Sequence, residues 1–208
     1  MTVRDFVLIG CLGLSLIGCT PPKETFPLAP SAREGVEIAE ARGYRLGVSR
    51  QAESDVSVFG LVHEQVIVLW VRIENYSKSP VSVSPDQIRI SGVDESSRPK
   101  SLKIFSPGKA EAFKNLGSSL AGVYQMLKNR EASPGARLAE LKAEWSEKGI
   151  DYQSLQQVLF SARTLQLNET AEGYIVAQYL PAVSYSIVIP IGRNTHRFDL
   201  APVRPAAS

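Results

Sequence analysis

The residue pattern at 64–74 constrains most strongly what this chain can fold into. The stretch reads Glu-Gln-Val-Ile-Val-Leu-Trp-Val-Arg-Ile-Glu, and apolar residues occupy both alternating sets of positions. One set consists of Ile67, Leu69, Val71 and Ile73, and the other begins with Val66, Val68 and Trp70 before it turns polar. A strand that is apolar on both faces is expected at the centre of a sheet, covered on both sides for part of its length.

Shorter stretches with a period of two occur before and after this strand. They predict strands at 44–48, 55–59, 81–84, 87–91, 102–105, 164–167, 173–178, 184–189 and 195–199. Turn-forming residues separate them, as in the Asn-Tyr-Ser-Lys-Ser-Pro run that follows the central strand. Many short strands at this spacing favour a β-sandwich or a barrel. The stretch 34–41 has no clear period and is left unassigned.

Two blocks of this pattern resemble a known family. The strand at 66–73, the polar turn after it and the Val-Ser-Val-Ser run at 81–84 form the first block, and 167–176 forms the second. Together they resemble bacterial immunoglobulin-like lipoprotein domains of the DUF4352 or telokin-like kind. The resemblance covers about a quarter of the chain and consists of packing and turn residues. It therefore implies an immunoglobulin-like β-sandwich and carries no catalytic residues.

The period becomes helical between 106 and 163, which predicts an α-helical insertion of about three helices. The first would begin at Ser106-Pro107, a cap residue followed by proline, and the second at Ser133-Pro134. The third would be capped by Asp151. The predicted fold class is thus mainly β: an immunoglobulin-like sandwich with an α-helical insertion.

Two interpretations of the insertion stay open at the level of sequence. Its apolar stripes are suited to covering a sheet face, such as the one that bears Val66, Val68 and Trp70. Alternatively, the small residues at 117–122 could form a groove or a docking surface for a partner.

The N-terminus has the features of an export signal. Residues 6–17 are apolar apart from one serine and two glycines, and Arg4 precedes them. The run is shorter than the roughly 20 residues that a membrane span requires, and Thr20-Pro21-Pro22 ends it. We therefore predict a signal peptide at 1–18.

The four residues Leu16-Ile17-Gly18-Cys19 resemble a bacterial lipobox. The resemblance implies that Cys19 is lipidated, palmitate being one of its acyl chains, and becomes the mature N-terminus. Cys11 would leave with the leader, so the mature chain would hold no disulfide. Thr20 after the cysteine is compatible with sorting to the outer membrane, facing the periplasm.

The region after Cys19 divides into a linker and a domain. Residues 19–34 are rich in proline and predict a stiff, extended tether, which would hold the domain some tens of ångströms from the lipid (at about 3.1 Å per residue). Residues 35–208 would then form the sandwich domain with its insertion.

Catalytic motifs are missing from the sequence. His63 and His196 are the only histidines, both beside predicted strand ends where a solvated histidine is ordinary, and they lack a third metal ligand at motif spacing. No serine-hydrolase elbow, phosphate-binding loop or zinc-protease motif occurs. The sequence therefore predicts no catalytic residues, no metal and no cofactor, and a protein that is not an enzyme.

Composition and charge limit the kind of partner. The chain is 21% charged with a formal net charge of +2, and its basic residues are scattered, so no nucleic-acid partner is expected. The predicted function is that of a non-catalytic, lipid-anchored interaction or assembly subunit of the cell envelope, bound to the membrane through Cys19 and to an envelope protein. The alternative is a small-ligand or glycan-binding module, with Tyr124, Trp145 and Tyr152 lining the site. The binding residues themselves stay unknown.

Overall fold

The computed structural model of the protein describes residues 25–41, 44–63, 66–105 and 159–203. In these ranges the chain is antiparallel β-sheet, and its one helical turn is a 3₁₀ turn at Pro85–Gln87. No helix in this part of the chain is long and apolar enough to cross a membrane. The architecture is β-rich and sandwich-like, as the alternating patterns predict.

Twelve strands are described. They are β1 (Thr25–Pro30), β2 (Glu37–Ala41), β3 (Tyr44–Gln51), β4 (Ser54–His63), β5 (Val66–Asn75), β6 (Val81–Val83), β7 (Arg89–Val93), β8 (Pro99–Ser101), β9 (Arg163–Leu165), β10 (Thr170–Gln178), β11 (Ser184–Ile191) and β12 (Asn194–Pro202). Within the described chain, ten strands form one sheet in the order β10-β5-β4-β1-β12-β11-β7-β8, with β3 paired to β4 and β2 to β3. Strands β6 and β9 pair separately.

The central strand predicted at 64–74 is confirmed as β5. It pairs along its whole length with β4 on one side and, from Val66 to Glu74, with β10 on the other. Both of its alternating sets are buried over the first four residues. Its aliphatic side chains join a core that also contains Val56, Val58, Ile187, Ile189, Phe198 and Leu200. Burial of these apolar side chains is the main force that holds the sheet layers together.

The proline-rich stretch is shorter as a linker than the sequence predicts. Thr25–Pro30 is strand β1, which pairs with β4 through Thr25 to Leu28 and with β12 through Leu28 to Pro30. Leu28 is registered with both neighbours, and every other residue of β1 with only one. The missing N–H groups of the two prolines therefore cost few ladder hydrogen bonds. The predicted tether at 19–34 is corrected accordingly: Thr25–Pro30 belong to the sheet.

The predicted fold class is wrong in its α-helical insertion of about three helices. The described residues contain no α-helix, and the end of the predicted insertion is extended. Leu159 forms a bridge to Tyr174, and Arg163 begins β9. A helical spacing of apolar residues does not determine the conformation there, because sheet edges offer competing backbone partners. The remainder of that prediction, 106–158, lies outside the described residues.

The outer edge of β10 is covered by the segments that flank 106–158. On one side, the Phe105 N–H donates to the Val176 carbonyl at 2.9 Å. On the other side, the Phe160 N–H donates to the Tyr174 carbonyl at 2.8 Å. The second contact depends on Gly173, since a Cβ atom there would lie 2.7 Å from the Phe160 nitrogen.

The end of β5 is joined to the turn before β10 by one buried side chain. The amide nitrogen of Asn75 donates to the carbonyls of Leu165 and Gln166, each at 3.1 Å, and its oxygen accepts from the Ser77 N–H at 3.0 Å. The side chain is fully buried, so water cannot replace these bonds. This explains why an asparagine ends the hydrophobic strand.

We predict that Gly173→Ala lowers the free energy of unfolding by about 2 kcal/mol, because backbone rather than a movable side chain occupies the space. Urea denaturation of the two proteins measures the difference. Gly92→Ala is the control: its Cβ would meet the Ala182 methyl carbon at 3.1 Å, and we expect a smaller loss, under about 1 kcal/mol. Equal losses would contradict the contact at Phe160.

We also predict that Asn75→Asp costs about 3 kcal/mol, since it removes two donated hydrogen bonds and buries a carboxylate against carbonyl oxygens. Asn168→Asp is the matched control, because that side chain is exposed and its backbone has φ of 62°, which aspartate tolerates. Thermal and urea unfolding measure the loss of stability in each variant. The loss should be several-fold larger for Asn75→Asp than for Asn168→Asp. A loss at Asn168 as large as that at Asn75 would refute the role of the amide.

Candidate functional site

The described chain brings together one buried polar cluster that contains a histidine. His196 on β12 has its Nε2 atom 2.8 Å from the Ser54 hydroxyl of β4 and its Nδ1 atom 3.0 Å from the Ser49 hydroxyl of β3. Asn194 donates from its amide nitrogen to the Ser54 hydroxyl at 3.3 Å. We assign the ring proton to Nδ1, so that it donates to Ser49 while Ser54 donates to Nε2. Every ring nitrogen then has a partner.

The environment of the cluster keeps the imidazole neutral. Burial lowers the pKa of His196 from 6.5 to about 4, and hydrogen bonding to Ser49 opposes this only in part. Neither His196 nor Ser54 has any exposed surface, and Ser49 is also buried. The sequence-based expectation of a solvated histidine at this position is therefore wrong. A strand end is not necessarily solvated, because the hairpin between β3 and β4 covers this one.

The chemistry open to this cluster is limited by its burial. A serine within 2.8 Å of a histidine resembles the first two members of a hydrolytic triad. However, a nucleophile must reach a substrate, and Ser54 is sealed from solvent. The geometry instead ties β12 to the β3–β4 hairpin, an arrangement that Gln51 extends by donating to the Thr195 carbonyl at 3.1 Å.

Sequence reasoning missed the two serines of this cluster. Ser49 and Ser54 lie five positions apart in the sequence but more than 140 positions from His196. The sequence gives no local signal for them, since Ser49 falls in the polar set of its alternating strand, with Arg45 and Gly47. Only pairing between distant strands reveals the contact.

The other predicted site residues are not brought together by the described structure. Cys19, Tyr124, Trp145 and Tyr152 lie outside the described residues. His63 is the last residue of β4, and its side chain is not among those described. In the described part of the chain, no three metal-ligating side chains are grouped in a way that could hold an ion.

The sandwich has two ends with different surfaces. We call the end where β1 begins the entry end; it carries Thr25, Val66, Val93, Gln178 and Pro202. The opposite, distal end carries Ser54, Asn75, Thr170, Ile191 and Asn194. The His196 cluster lies toward the distal end, because Asn194 and Ser54 both contribute to it.

The entry end has a shallow groove of about 940 Å³. One wall is the turn after β7, with Asp94, Glu95 and Ser96, and the other is formed by the segment before β11 and by Pro202. Val183 is the large exposed hydrophobic residue among those that line the groove. Val203 is exposed just beyond Pro202. Hydrogen bonds from Ser96 and an ion pair with Lys100 lower the pKa of Asp94 to about 2, so this carboxylate stays ionised.

The distal end has a smaller and more polar groove of about 530 Å³, lined by residues 161–165, Glu169 and Thr170. Arg163 donates to the Ser161 hydroxyl there at 3.2 Å. Tyr76 and Leu167 are exposed on the adjoining turns, and the Tyr76 hydroxyl donates to the Glu74 carboxylate. This bond is the main reason why the pKa of Tyr76 is raised to about 12.

Comparison with known proteins does not assign the chain to a family. No family model matches the chain, and no curated protein matches it. Among solved structures, the crystal structure of the yjhA protein from Bacillus subtilis is similar, with 13% identity over 74% of this chain and 76% of that chain. The TM-score is 0.31, at which the likeness carries no argument. The resemblances to a lipoprotein and to DUF4352 domains stay predictions.

We predict that the protein loses stability as the pH falls from about 6.5 to about 4. The unfolded chain takes up a proton on His196 below its ordinary pKa of 6.5, whereas the folded state resists protonation until about 4. Stability from this residue is therefore complete above 6.5 and declines by about 3 kcal/mol across that window.

Urea unfolding at a series of pH values measures this dependence. His196→Gln should be less stable at neutral pH, since it disturbs a buried network, but its stability should fall less steeply between pH 6.5 and 4. Parallel profiles of the two proteins would show that His196 titrates normally, contrary to its burial.

Proposed function

We propose that this protein is a non-catalytic, lipid-anchored subunit of the bacterial cell envelope that acts by binding another envelope protein. The observation that carries the proposal is the placement of Cys19. It follows an apolar leader and a small residue and precedes the first strand by only six positions. A lipobox needs that order of residues, and a folded domain needs a short exposed link to its anchor.

The reasoning from cysteine content supports an anchor rather than a free thiol. Once the leader is removed, Cys19 would be the single cysteine of the mature chain. An unpaired thiol is unusual in an oxidising compartment, and lipidation resolves this. One acyl chain binds membranes only marginally, whereas the several chains of lipoproteins hold a protein durably.

The described residues support a binding role more than a chemical one. Their histidine–serine cluster is buried, and its imidazole is neutral. Their large exposed hydrophobic residues, in contrast, are divided between the two ends of the sandwich: Tyr76 and Leu167 at the distal end, and Val183 and Val203 at the entry end. These apolar side chains are available for contact with another surface.

We predict that Cys19→Ala abolishes both acylation and membrane association. Intact mass spectrometry after expression in a diderm host should show a wild-type chain that begins at an acylated Cys19, and fractionation should find it in membranes. The variant should carry no acyl groups and should appear in the soluble fraction.

Cys11→Ala is the matched control, since Cys11 lies in the leader and its loss should change neither the mature mass nor the fractionation. A wild-type chain that is unmodified and uncleaved would overturn the proposal. If the wild type is acylated, crosslinking in intact cells identifies the envelope protein that it binds. That crosslink should be lost in Cys19→Ala.

A further inference from the structure

The start of β1 fixes where the chain enters the folded domain. Thr25 pairs with His63, and the Val203 N–H donates to the Pro27 carbonyl at 2.9 Å. The entry point is therefore held beside the end of β12, at the entry end of the sandwich. It cannot move along the sheet without breaking two ladders.

The distance between this point and a lipid anchor is short. Six positions separate Cys19 from Thr25, and an extended chain spans at most about 3.6 Å per residue. The entry end would thus lie within about 20 Å of the lipid surface. The distal end is farther away by about the length of β4, whose ten residues extend roughly 30 Å.

The groove at the entry end is held in a fixed shape. The Tyr185 hydroxyl donates to the Leu180 carbonyl at 2.8 Å, and the Val183 N–H donates to the Val93 carbonyl at 2.9 Å. Both bonds hold the segment that presents Val183. This side chain is 52% exposed and Val203 is 48% exposed, although both lie on ordered backbone.

Charge in the turn that lines this groove is balanced. The turn 94–100 contains two acidic and two basic residues, and Asp94 is paired with Lys100 at 3.1 Å. It therefore presents no strong net charge to lipid headgroups of either sign. Charge on this turn therefore neither attracts nor repels a bilayer, and close approach depends on shape and on apolar contact.

We propose that the entry end rests on the lipid bilayer, with Val183 and Val203 in contact with the membrane interface and the distal end directed away from it. The inference depends on the proposed lipidation of Cys19, and it adds an orientation and a membrane-contacting surface. Two partly exposed valines would bind lipid weakly on their own, but an anchored domain has a high effective concentration at the surface. Tyr76 and Leu167 then face the partner side.

The test uses the full lipoprotein, purified from membranes and reconstituted in phosphatidylcholine vesicles that contain lipids with a doxyl quencher. Val183→Cys is labelled with an environment-sensitive fluorophore. Leu167→Cys is the matched control, because Leu167 is 49% exposed at the distal end. A lipidated Cys19 has no free thiol, so the introduced cysteine is the labelling site of the mature chain.

We expect the label at position 183 to be quenched at least about twofold more than the label at 167, with little change between low and high salt, since the turn is neutral. In a background with Val203→Asp, quenching at 183 should fall toward the value at 167. Equal quenching, stronger quenching at 167, or quenching at neither position would overturn the inference. Burial of the label at 183 without lipid quenching would also overturn it and would indicate a protein–protein interface.

Intact mass of the same preparations separates the two proposals. An unacylated Cys19 would refute the proposed function. The orientation depends on the anchor and would then be refuted with it. Acylation without preferential quenching at 183 would refute the orientation alone.

Discussion

The pairing of β1 with two other strands is the constraint on which the rest of the structure depends. β1 lies between β4 and β12 and so connects the part of the sheet built around β5 with the part built around β11. Because Leu28 is registered with both neighbours, the two parts cannot slide independently. A one-residue slip of this strand would turn the buried Phe26 and Leu28 toward the opposite face. The same pairing fixes the point at which the residues before Thr25 join the domain.

Polar groups rather than apolar ones decide the geometry of the distal end. Asn75 and His196 are both fully buried, and each bonds to residues that are distant in sequence. Buried polar groups without partners are costly, so these contacts select one arrangement of turns among many that would bury similar apolar area. These polar contacts fix the conformation of the distal end, which is the end that would face a partner. A domain that acts by binding benefits from such a surface, since less ordering is needed when the partner docks.

The entry end and the distal end would have different tasks in an anchored protein. At the entry end, apolar residues and a neutral turn lie within a short link of the anchor. At the distal end, Tyr76 and Leu167 are exposed on turns that the Asn75 side chain holds in place. A long tether would have made the orientation of the domain irrelevant. Because Thr25–Pro30 of the expected tether are sheet, the orientation of an anchored domain would be a property of the fold itself.

Local pattern was sufficient for the strands but not for their partners. The period of two at 64–74 predicted the central, doubly covered strand, since side-chain alternation is a local property of extended chains. The helical insertion and the solvated His196 were wrong, because the backbone at Leu159 and the burial of the imidazole depend on strands far away in sequence. Proline content suggested a tether at 25–30, yet prolines are compatible with a strand whose halves pair with different neighbours.

The sequence alone thus determined the β-rich class, the core strand and the candidate anchor at Cys19. Tertiary structure decided the register, the buried polar cluster and the end of the domain nearest the anchor, because these require contacts between residues that no local period relates.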